Sequence, residues 1–153
     1  MNLLSLETQQ FLQKFKNKKI VFTNGCFYFL HRGHVAYLNQ ARALGDSLIV
    51  GLNSDASVKR LKGTERPINQ ESDRKFVLEN LKSVDAVQIF VEDTPLEIIK
   101  AIHPHILVKG GDWKIDQIVG SKEVLGWGGE VLSLNFVDGY STTSVINKIN
   151  LNS

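Results

Sequence analysis

Cysteine and proline are scarce in this sequence, and the scarcity of cysteine excludes two common ways of stabilising a small protein. The 153 residues include one cysteine, Cys26, and three prolines. A single cysteine cannot form an internal disulfide, and it cannot supply the several thiolates of a structural zinc site. The chain must therefore depend on a hydrophobic core, and its hydrophobic content of 42% is ordinary for a globular domain.

A large excess of either charge is also missing. The 18 lysine and arginine residues nearly balance the 16 acidic residues, which leaves a net charge of +2. Binding to nucleic acid through charge alone requires a clear basic excess, so we predict no nucleic-acid partner. The densest basic segment, residues 14–19, is typical of a solvated helix end, where cations suit the negative pole of the helix.

Long hydrophobic runs and targeting signals are lacking as well. No apolar run approaches the length needed to cross a bilayer, and the first residues, Met-Asn-Leu-Leu, lack a basic segment. These absences predict a soluble, cytoplasmic protein with no membrane partner. Because there is no linker, repeat or low-complexity segment, we expect one domain, residues 1–153, in which residues 1–18 are an N-terminal helical extension.

What the sequence does contain is a regular alternation of short apolar strands and amphipathic helices. Strands are predicted at residues 20–22, 48–52, 86–90, 106–108 and 131–134. Helices are predicted at 4–16, 33–44 and 55–61, after a cap at Asn69, from a capping box at 94–97 to Pro104, near 121–127, and at 143–150 after a cap at Ser141 or Thr142. This alternation predicts an α/β fold, a doubly wound parallel sheet of about five strands with helices on both faces.

Polar residues with binding potential follow the predicted strands. Residues 24–34 follow the first strand, 53–55 the second, 109–112 the fourth and 141–144 the last. In doubly wound sheets, ligands bind beyond the carboxyl ends of the strands, where the topology switches. The shared position of these segments predicts that they form one site.

The segment after the first strand has the features of an anion site. A strand-to-helix turn presents backbone N–H groups, and His31 and His34 are three residues apart, on one face of a helical turn. Gly33 between them lets a phosphate approach the backbone. Two alternatives remain open here: the histidines only cap or pack the helix start, or they form a metal pair, for which no third ligand lies nearby in sequence.

The motif Asn-Gly-Cys-Phe-Tyr-Phe-Leu-His-Arg-Gly-His at residues 24–34 resembles the signature of the cytidylyltransferase-like nucleotidyltransferases, which have a Rossmann-like fold. His-x-Gly-His alone marks only that superfamily. Segments 41–46, 53–58, 66–69, 73–74, 84–85, 92–96, 108–112 and 139–143 also resemble one branch, the heptose 1-phosphate adenylyltransferases or ADP-heptose synthases. The similarity extends from about residue 18 to the C-terminus. Since the 153 residues leave no space for a sugar kinase, the chain resembles the stand-alone form of that branch.

The resemblance implies a reaction and its partners. A sugar 1-phosphate oxygen would attack the α-phosphorus of ATP, release pyrophosphate and yield an ADP-heptose for the inner core of lipopolysaccharide. Mg²⁺ would bridge the phosphates, held by ATP oxygens and water, with no protein ligand assigned. Relatives imply a homodimer.

The resemblance also implies roles for individual residues. His31, His34 and Lys62 would act on the phosphates, Lys62 as a mobile phosphate-binding lysine. The implied nucleotide-binding residues are Thr23, Asn24, Gly25, Cys26, Phe27, Gly33, Asn53, Lys109, Gly110, Gly111, Asp112, Ser141, Thr142 and Thr143. Arg66 and Arg74 would reach the substrate phosphate. The simpler alternatives are a surface lysine at 62, a helix-surface ion pair for Arg74, a tight glycine turn at 109–112 and a helix cap at 141–143.

One residue departs from the family pattern, which has an acid where this chain has Tyr28. A phenol is neutral at pH 7 and cannot supply a negative charge to position sugar phosphate, metal or histidine, although Asp55 or Asp112 could substitute. Two alternatives to the adenylyltransferase therefore stay open. One is a nucleotide-binding protein without turnover. The other is an enzyme that uses CTP and a polyol phosphate such as glycerol 3-phosphate, but the arginine usual before Ser-Thr-Thr is absent from residues 136–139.

Overall fold

The computed structural model describes residues 2–136 and 139–153, and within these residues the chain forms a five-stranded parallel sheet of order β3-β2-β1-β4-β5. The strands are β1 (Ile20–Gly25), β2 (Ser47–Asn53), β3 (Ala86–Phe90), β4 (Ile106–Gly110) and β5 (Glu130–Leu134). Each predicted strand lies within an observed one, and the predicted α/β fold with a parallel sheet is confirmed.

The helices follow the predicted order. They are α1 (Leu6–Lys14), α2 (Arg32–Arg42), α3 (Asp55–Lys62), α4 (Glu71–Glu79), α5 (Leu96–Ile102), α6 (Ser121–Gly126) and α7 (Thr142–Leu151). A short 3₁₀ helix (Ile115–Gln117) between β4 and α6 has no counterpart among the predicted elements. Of the helices in the described residues, none combines the length and the apolar character needed to cross a membrane.

Side chains of the central strand β1 point alternately into two hydrophobic clusters, one on each face of the sheet. Val21 packs in one cluster with Tyr37 and Leu38 of α2, and Phe22 packs in the other with Ile99 of α5. Successive side chains of a strand point to opposite faces, so a strand covered by helices on both sides must be apolar without interruption. Burial on both faces therefore explains why β1 begins with three consecutive apolar residues, 20–22. The predicted doubly wound arrangement is confirmed.

The order of the strands places a switch point beside β1. The chain runs outward from β1 through β2 to β3, and then returns to place β4 on the other side of β1. A crevice forms where neighbouring strands lead to helices on opposite faces of the sheet. Asn24 and Gly25 end β1, and Lys109 and Gly110 end β4, so all four border this crevice.

Two predicted helix starts are wrong in detail. α4 begins after Gln70, whose side chain makes no cap bond, while the carbonyl of Asn69 accepts a hydrogen bond from Nε of Arg74 at 2.9 Å. α5 begins after Pro95, and no side chain caps it. Thr94, the expected cap, lines a cavity instead. Tertiary contacts therefore decided these ends, although the local sequence favoured caps.

Candidate active site

A cavity of about 580 Å³ opens at the switch point between β1 and β4. Its wall includes the end of β1, the turn that follows, the start of α2, the end of α3 and the end of β4. A smaller cavity of about 170 Å³ is lined by Tyr37 of α2 and by Phe136. The residues that line both cavities are Asn24, Gly25, Cys26, Phe27, His34 and Lys109. These residues form the junction between the larger and the smaller cavity.

The turn after β1 has a strained backbone that brings an aromatic ring to this junction. Phe27 has φ of 45°, in the left-handed region that residues other than glycine rarely occupy. A Cβ added at Gly25 would lie 2.8 Å from Cε2 of Phe27, so only glycine leaves space for the ring. The ring contacts His34 edge-on, with centroids 5.4 Å apart. The left-handed backbone conformation of Phe27 therefore places its ring against His34.

The two histidines of the motif stack on each other at the start of α2. Their ring centroids are 3.9 Å apart with an interplanar angle of 27°. Nδ1 of His31 accepts a hydrogen bond from the Gly33 N–H at 3.1 Å, and Nδ1 of His34 accepts from the His31 N–H at 3.4 Å. An imidazole whose Nδ1 accepts a hydrogen bond carries its proton on Nε2 when neutral. The histidines thus cap the helix through Nδ1 and each keep an Nε2–H donor for a ligand.

Both histidines are held in the neutral form at neutral pH. Burial, and secondarily the nearby His31, lower the pKa of His34 to about 4. Burial also lowers the pKa of His31. Neutral imidazoles offer hydrogen bonds to phosphate oxygens without repelling each other, whereas two protonated rings stacked at this distance would repel. The pair is therefore organised as two neutral donors at the N-terminus of α2.

Positive charge around the cavities comes from two lysines on different elements. Lys62 ends α3 and lines the larger cavity, and Lys109 ends β4 and lines both cavities. Burial and the neighbouring Lys62 lower the pKa of Lys109, although nearby Cys26 opposes the shift. Burial raises the pKa of the Cys26 thiol, against the attraction of Lys62, Arg74 and Lys109. The thiol therefore stays protonated at neutral pH, and the junction has a positive potential suited to an anion.

Arg74 is a structural clamp, which corrects the prediction that it reaches a substrate phosphate. Its side chain is buried, with 2% of the residue exposed. Nη1 donates to the carbonyls of Cys26 at 2.6 Å and Asn53 at 2.8 Å, and Nε donates to the carbonyl of Asn69. The reason lies in the helix: Arg74 is four residues before the buried Leu78 and so shares its inward face. The alternative of a surface ion pair is wrong for the same reason.

The two acids considered as substitutes for the family carboxylate lie away from the cavities. Oδ1 of Asp55 accepts from Nη2 of Arg74 at 2.8 Å, so its charge is neutralised by the buried guanidinium. Asp112 is exposed, and it lines neither cavity. Neither residue therefore replaces an acid at position 28.

Tyr28 itself lines the larger cavity and pairs with an arginine. The guanidinium carbon of Arg66 lies 4.7 Å from the centroid of the Tyr28 ring, within the usual range of a cation–π contact. Arg66 therefore touches the site through Tyr28, without lining the cavity wall itself.

The remaining predicted residues divide between the cavity walls and supporting positions. Predicted residues that line the larger cavity are Asn24, Gly25, Cys26, Phe27, Tyr28, His34, Asn53, Lys62, Lys109 and Thr142. Gly110 lines the smaller cavity. Predicted residues outside both walls are Thr23, His31, Gly33, Asp55, Arg66, Arg74, Gly111, Asp112, Ser141 and Thr143. The Thr23 hydroxyl is buried 2.5 Å from the Tyr37 hydroxyl, and Ser141 caps α7 by accepting from the Ser144 N–H at 3.0 Å.

Several wall residues were missed by sequence reasoning. They are Leu61, Asp93, Thr94, Pro95, Leu107, Val108, Trp113, Gln117, Ile118 and Val119. Trp113 is the most prominent: its indole Nε1–H donates to the Gly110 carbonyl at 3.0 Å, yet the residue is 45% exposed. A tryptophan directly after the glycine turn of a strand end was the available signal. Gln117 lies on the 3₁₀ helix, for which the sequence offered no periodicity.

The part of the chain described by the structure contains no group of three or more His, Cys, Asp or Glu side chains arranged to hold a metal ion. The acid in the wall of the larger cavity, Asp93, pairs with Nε of Arg60 at 2.8 Å, and its side chain is 66% exposed. Asp93 is therefore the carboxylate of this wall, among the described residues, and it is already paired with Arg60.

The fold and the site together define a Rossmann-like nucleotidyltransferase, with paired imidazoles at the helix after the first strand of the sheet. This chain belongs to the cytidylyltransferase-like family, whose sequence profile matches residues 22–148. The predicted family resemblance is confirmed.

Within that family the chain is similar to a particular group of proteins. It is 61% identical over 140 residues to the bifunctional protein HldE of Marinomonas sp. (strain MWYL1), a match that covers 92% of this chain and 30% of that protein. It is 59% identical over 143 residues to the bifunctional protein HldE of Haemophilus ducreyi (strain 35000HP / ATCC 700724), with the same coverage of 92% and 30%. The chain thus spans about 30% of the length of these curated relatives.

Two solved structures are also similar to this chain. The lipopolysaccharide core biosynthesis protein from Thermoplasma volcanium GSS1 has a TM-score of 0.65 and 29% identity, over 81% of this chain and 99% of that one. Pantothenate synthetase from Thermus thermophilus has a TM-score of 0.58 and 18% identity, over 85% of this chain and 60% of that one. The second likeness, at this low identity, shows only that the fold is shared.

Proposed function

We propose that this chain transfers AMP from ATP to a heptose 1-phosphate, which yields ADP-heptose and pyrophosphate for the inner core of lipopolysaccharide. The observation that carries the proposal is the stacked pair of neutral imidazoles, His31 and His34, at the N-terminus of α2. His34 lies at the junction of two cavities, which gives two substrates separate approaches to one phosphorus. The similarity to HldE and to a lipopolysaccharide core biosynthesis protein supports the choice of a sugar phosphate as acceptor.

The proposed chemistry needs alignment and charge stabilisation, and no covalent intermediate. An oxygen of the sugar phosphate forms a bond to the α-phosphorus, and the bond from that phosphorus to the bridging β-phosphate oxygen breaks. Pyrophosphate leaves with the electron pair. The Nε2–H groups of His31 and His34, together with the N-terminus of α2, would donate to the phosphate oxygens on which charge increases.

The other predicted residues have supporting roles in this proposal. Lys62, at the end of α3, and Lys109, at the end of β4, would face the triphosphate from the wall of the larger cavity. The start of α7, with Ser141, Thr142 and Thr143, would bind the β- and γ-phosphates. The remaining nucleotide contacts would come from the wall residues Asn24, Gly25, Cys26, Phe27, Asn53 and Gly110. Thr23, Gly33, Gly111 and Asp112 would support these contacts from outside the walls, and Arg66 would act beside Tyr28 on the sugar phosphate. In-line displacement is favoured when both substrates are held rigidly in this way.

Mg²⁺ would enter with the nucleotide. Since the described residues offer no carboxylate cluster, the ion would be held by phosphate oxygens and water, which is its usual coordination beside nucleotides. It would reduce the charge that the attacking phosphate has to approach. His34, Lys62 and Lys109 then position and stabilise the same phosphates without contacting the ion.

A homodimer is the proposed assembly. Leu6 of α1 is 68% exposed and Phe76 of α4 is 67% exposed, and the two helices are joined by an ion pair of 3.1 Å between Lys75 and Glu7. Exposed apolar side chains on adjacent helices support an interface at this surface. Light scattering of the purified chain should give twice the monomer mass, and a monomer mass at high protein concentration would contradict the proposal.

A pyrophosphate-release assay over a panel of substrates tests the proposed activity. We expect release with ATP and heptose 1-phosphate, and little release when CTP replaces ATP or glycerol 3-phosphate replaces the sugar. A preference for CTP with glycerol 3-phosphate would favour the sister reaction. Tyr28 motivates a second candidate, a nucleotide-binding protein without turnover. That candidate would be supported if ATP binds in a titration and no pyrophosphate forms with any acceptor.

A further inference from the structure

We propose that Tyr28 is a positioning residue that holds the loop of residues 63–69 against the site and thereby keeps Lys62 in the wall of the larger cavity. The inference rests on the proposed function for its effect on turnover, but its structural part does not. The 63–69 loop connects α3 to α4, and Lys62 is the last residue of α3. Tyr28 belongs to the strained turn after β1, distant in sequence from the loop.

Two contacts join the loop to Tyr28. The guanidinium carbon of Arg66 lies 4.7 Å from the centroid of the Tyr28 ring. The side-chain amide of Asn69 donates to the backbone carbonyl of Tyr28 at 3.5 Å. The first contact is a cation–π interaction in its normal range, and the second is a long hydrogen bond, so the ring provides the stronger attachment.

Arg66 has few other attachments among the described residues. Its Nη1 atom is buried and has no hydrogen-bond partner there, and its side chain takes part in no ion pair of this part of the chain. A guanidinium without a carboxylate partner depends on the aromatic face for its stabilisation. The Arg66 N–H donates to the Gly63 carbonyl at 3.1 Å, and the Arg66 side chain is held mainly by Tyr28.

The two ends of the loop differ in how firmly they are held. At the far end, the Asn69 carbonyl accepts from Nε of the buried Arg74, which also binds the Cys26 carbonyl. At the near end, Gly63 has φ of 105°, and a Cβ built there would meet no atom within 4 Å. The Gly63 N–H donates to the Lys59 carbonyl at 3.0 Å, and the Gly63 carbonyl accepts from the Arg66 N–H at 3.1 Å, so a turn joins Arg66 to the end of α3. Release of Arg66 would therefore free the last turn of α3 and move Lys62 away from the cavity.

The choice of an aromatic residue at position 28 also affects charge. A carboxylate there, as in the family pattern, could hold the same guanidinium as an ion pair but would neutralise it. The phenol ring holds Arg66 and leaves its positive charge in place beside the cavity. The Tyr28–Arg66 contact and an ion pair between Arg66 and a carboxylate at position 28 should also respond differently to salt. Salt screens an exposed ion pair, whereas it does not weaken the burial of a ring face.

The experiment compares Tyr28→Ala, Tyr28→Phe and Tyr28→Asp by hydrogen exchange of residues 61–70 and by steady-state kinetics. We expect Tyr28→Ala to speed exchange of these amides and to lower kcat with ATP by about fivefold, the size of one exposed cation–π contact. Phe keeps the ring face and should rescue both losses. Asp should rescue them at low salt and lose the rescue at high salt. Lys100→Ala, on the outer surface of α5, serves as the control and should change neither readout.

A second comparison tests whether Tyr28 acts through Lys62. In a Lys62→Ala background, Tyr28→Ala should cause no further loss of kcat. An additive loss would overturn the link to Lys62, and unchanged exchange in Tyr28→Ala, or no rescue by Phe, would overturn the attachment itself. If the wild-type chain releases no pyrophosphate, the proposed function fails, while the exchange measurements still decide whether Tyr28 holds the loop.

Discussion

The two halves of the site are built in opposite ways. The half around α2 is local: the contacts that orient His31 and His34 join residues two or three positions apart. The half around Arg74 is assembled from distant segments, because this side chain binds carbonyls 21 and 48 positions away and a carboxylate 19 positions away.

This difference between local and long-range contacts shows which residue roles can be inferred from spacing in the sequence. Once a helix begins after His31, a histidine three residues on lies beside it, because the cap residue and the third helical residue face each other. An arginine on a helix, by contrast, can point to solvent, to a ligand or to the interior, and the choice depends on which strands end beside it. The long-range half was correspondingly the half in which Arg74 and Asp55 were misassigned.

The largest effect on stability is expected from removal of Arg74, which makes the long-range contacts of the site. Arg74→Ala would leave Asp55 without its buried partner and three carbonyls without donors, and should destabilise the fold by about 3–5 kcal/mol. Urea denaturation measures the loss. The matched control is Arg42→Ala, since Arg42 pairs with Asp85 at the same 2.8 Å but with a 34% exposed side chain. A loss for Arg74 no larger than that for Arg42 would show that burial does not distinguish the two.

Removal of His34, which belongs to the local half of the site, should lower turnover strongly while the chain still folds. His34→Ala deletes one Nε2–H donor at the junction, and we expect turnover to fall about 10²- to 10³-fold, the usual loss for one such donor. The fold should be retained, because the backbone bond lost among the described residues is the long one from His31 at 3.4 Å, although the ring contacts with His31 and Phe27 are lost too. His105→Ala is the control, since its Nδ1 also accepts a backbone N–H, from Ile20 at 3.0 Å, far from the cavities. Near-normal turnover in His34→Ala would refute its role.

The smallest expected effect is the contribution of His34 to the pH dependence of stability. The pKa of His34 is about 4 in the folded chain, below the value near 6.5 of an unperturbed histidine. Between these values the unfolded chain binds more protons, so this residue lowers the free energy of unfolding as pH falls from about 6.5 towards 4 and has no effect at higher pH. The melting temperature of the wild type minus that of His34→Asn should therefore fall as pH falls from about 6.5 towards 4. Curves that stay parallel would contradict the shift.

Bound nucleotide should reduce this pH effect. A triphosphate beside His34 favours the protonated ring and raises its pKa, which opposes the effect of burial. The stabilisation by ATP should consequently grow as pH falls through 6. The same titration with His105→Ala should follow the wild type.

The fold was accessible from the sequence because its signals are local. Each of the five predicted strands was correct, since uninterrupted apolar runs such as 48–52 can be satisfied only between two layers of helices. The starts of α4 at Glu71 and of α5 at Leu96 were not accessible, because Gln70 and Pro95 occupy the cap positions although Asn69 and Thr94 are the better capping residues. Trp113 was missed although the glycine turn before it was an available signal, and Gln117 was missed because no periodicity marks a short 3₁₀ helix.

By itself, the sequence determined the order of strands and helices, the strand-to-helix turn at residues 24–34 and, through the resemblance of its motifs, the family to which the chain belongs. The order of elements depends on periodicity and spacing over a few residues, which backbone geometry translates directly into structure. Only the tertiary structure decided that Arg74 is a clamp, that Arg66 rests on Tyr28 and that two cavities meet at His34. Those facts depend on which distant segments end side by side, and no interaction between neighbours in sequence encodes that.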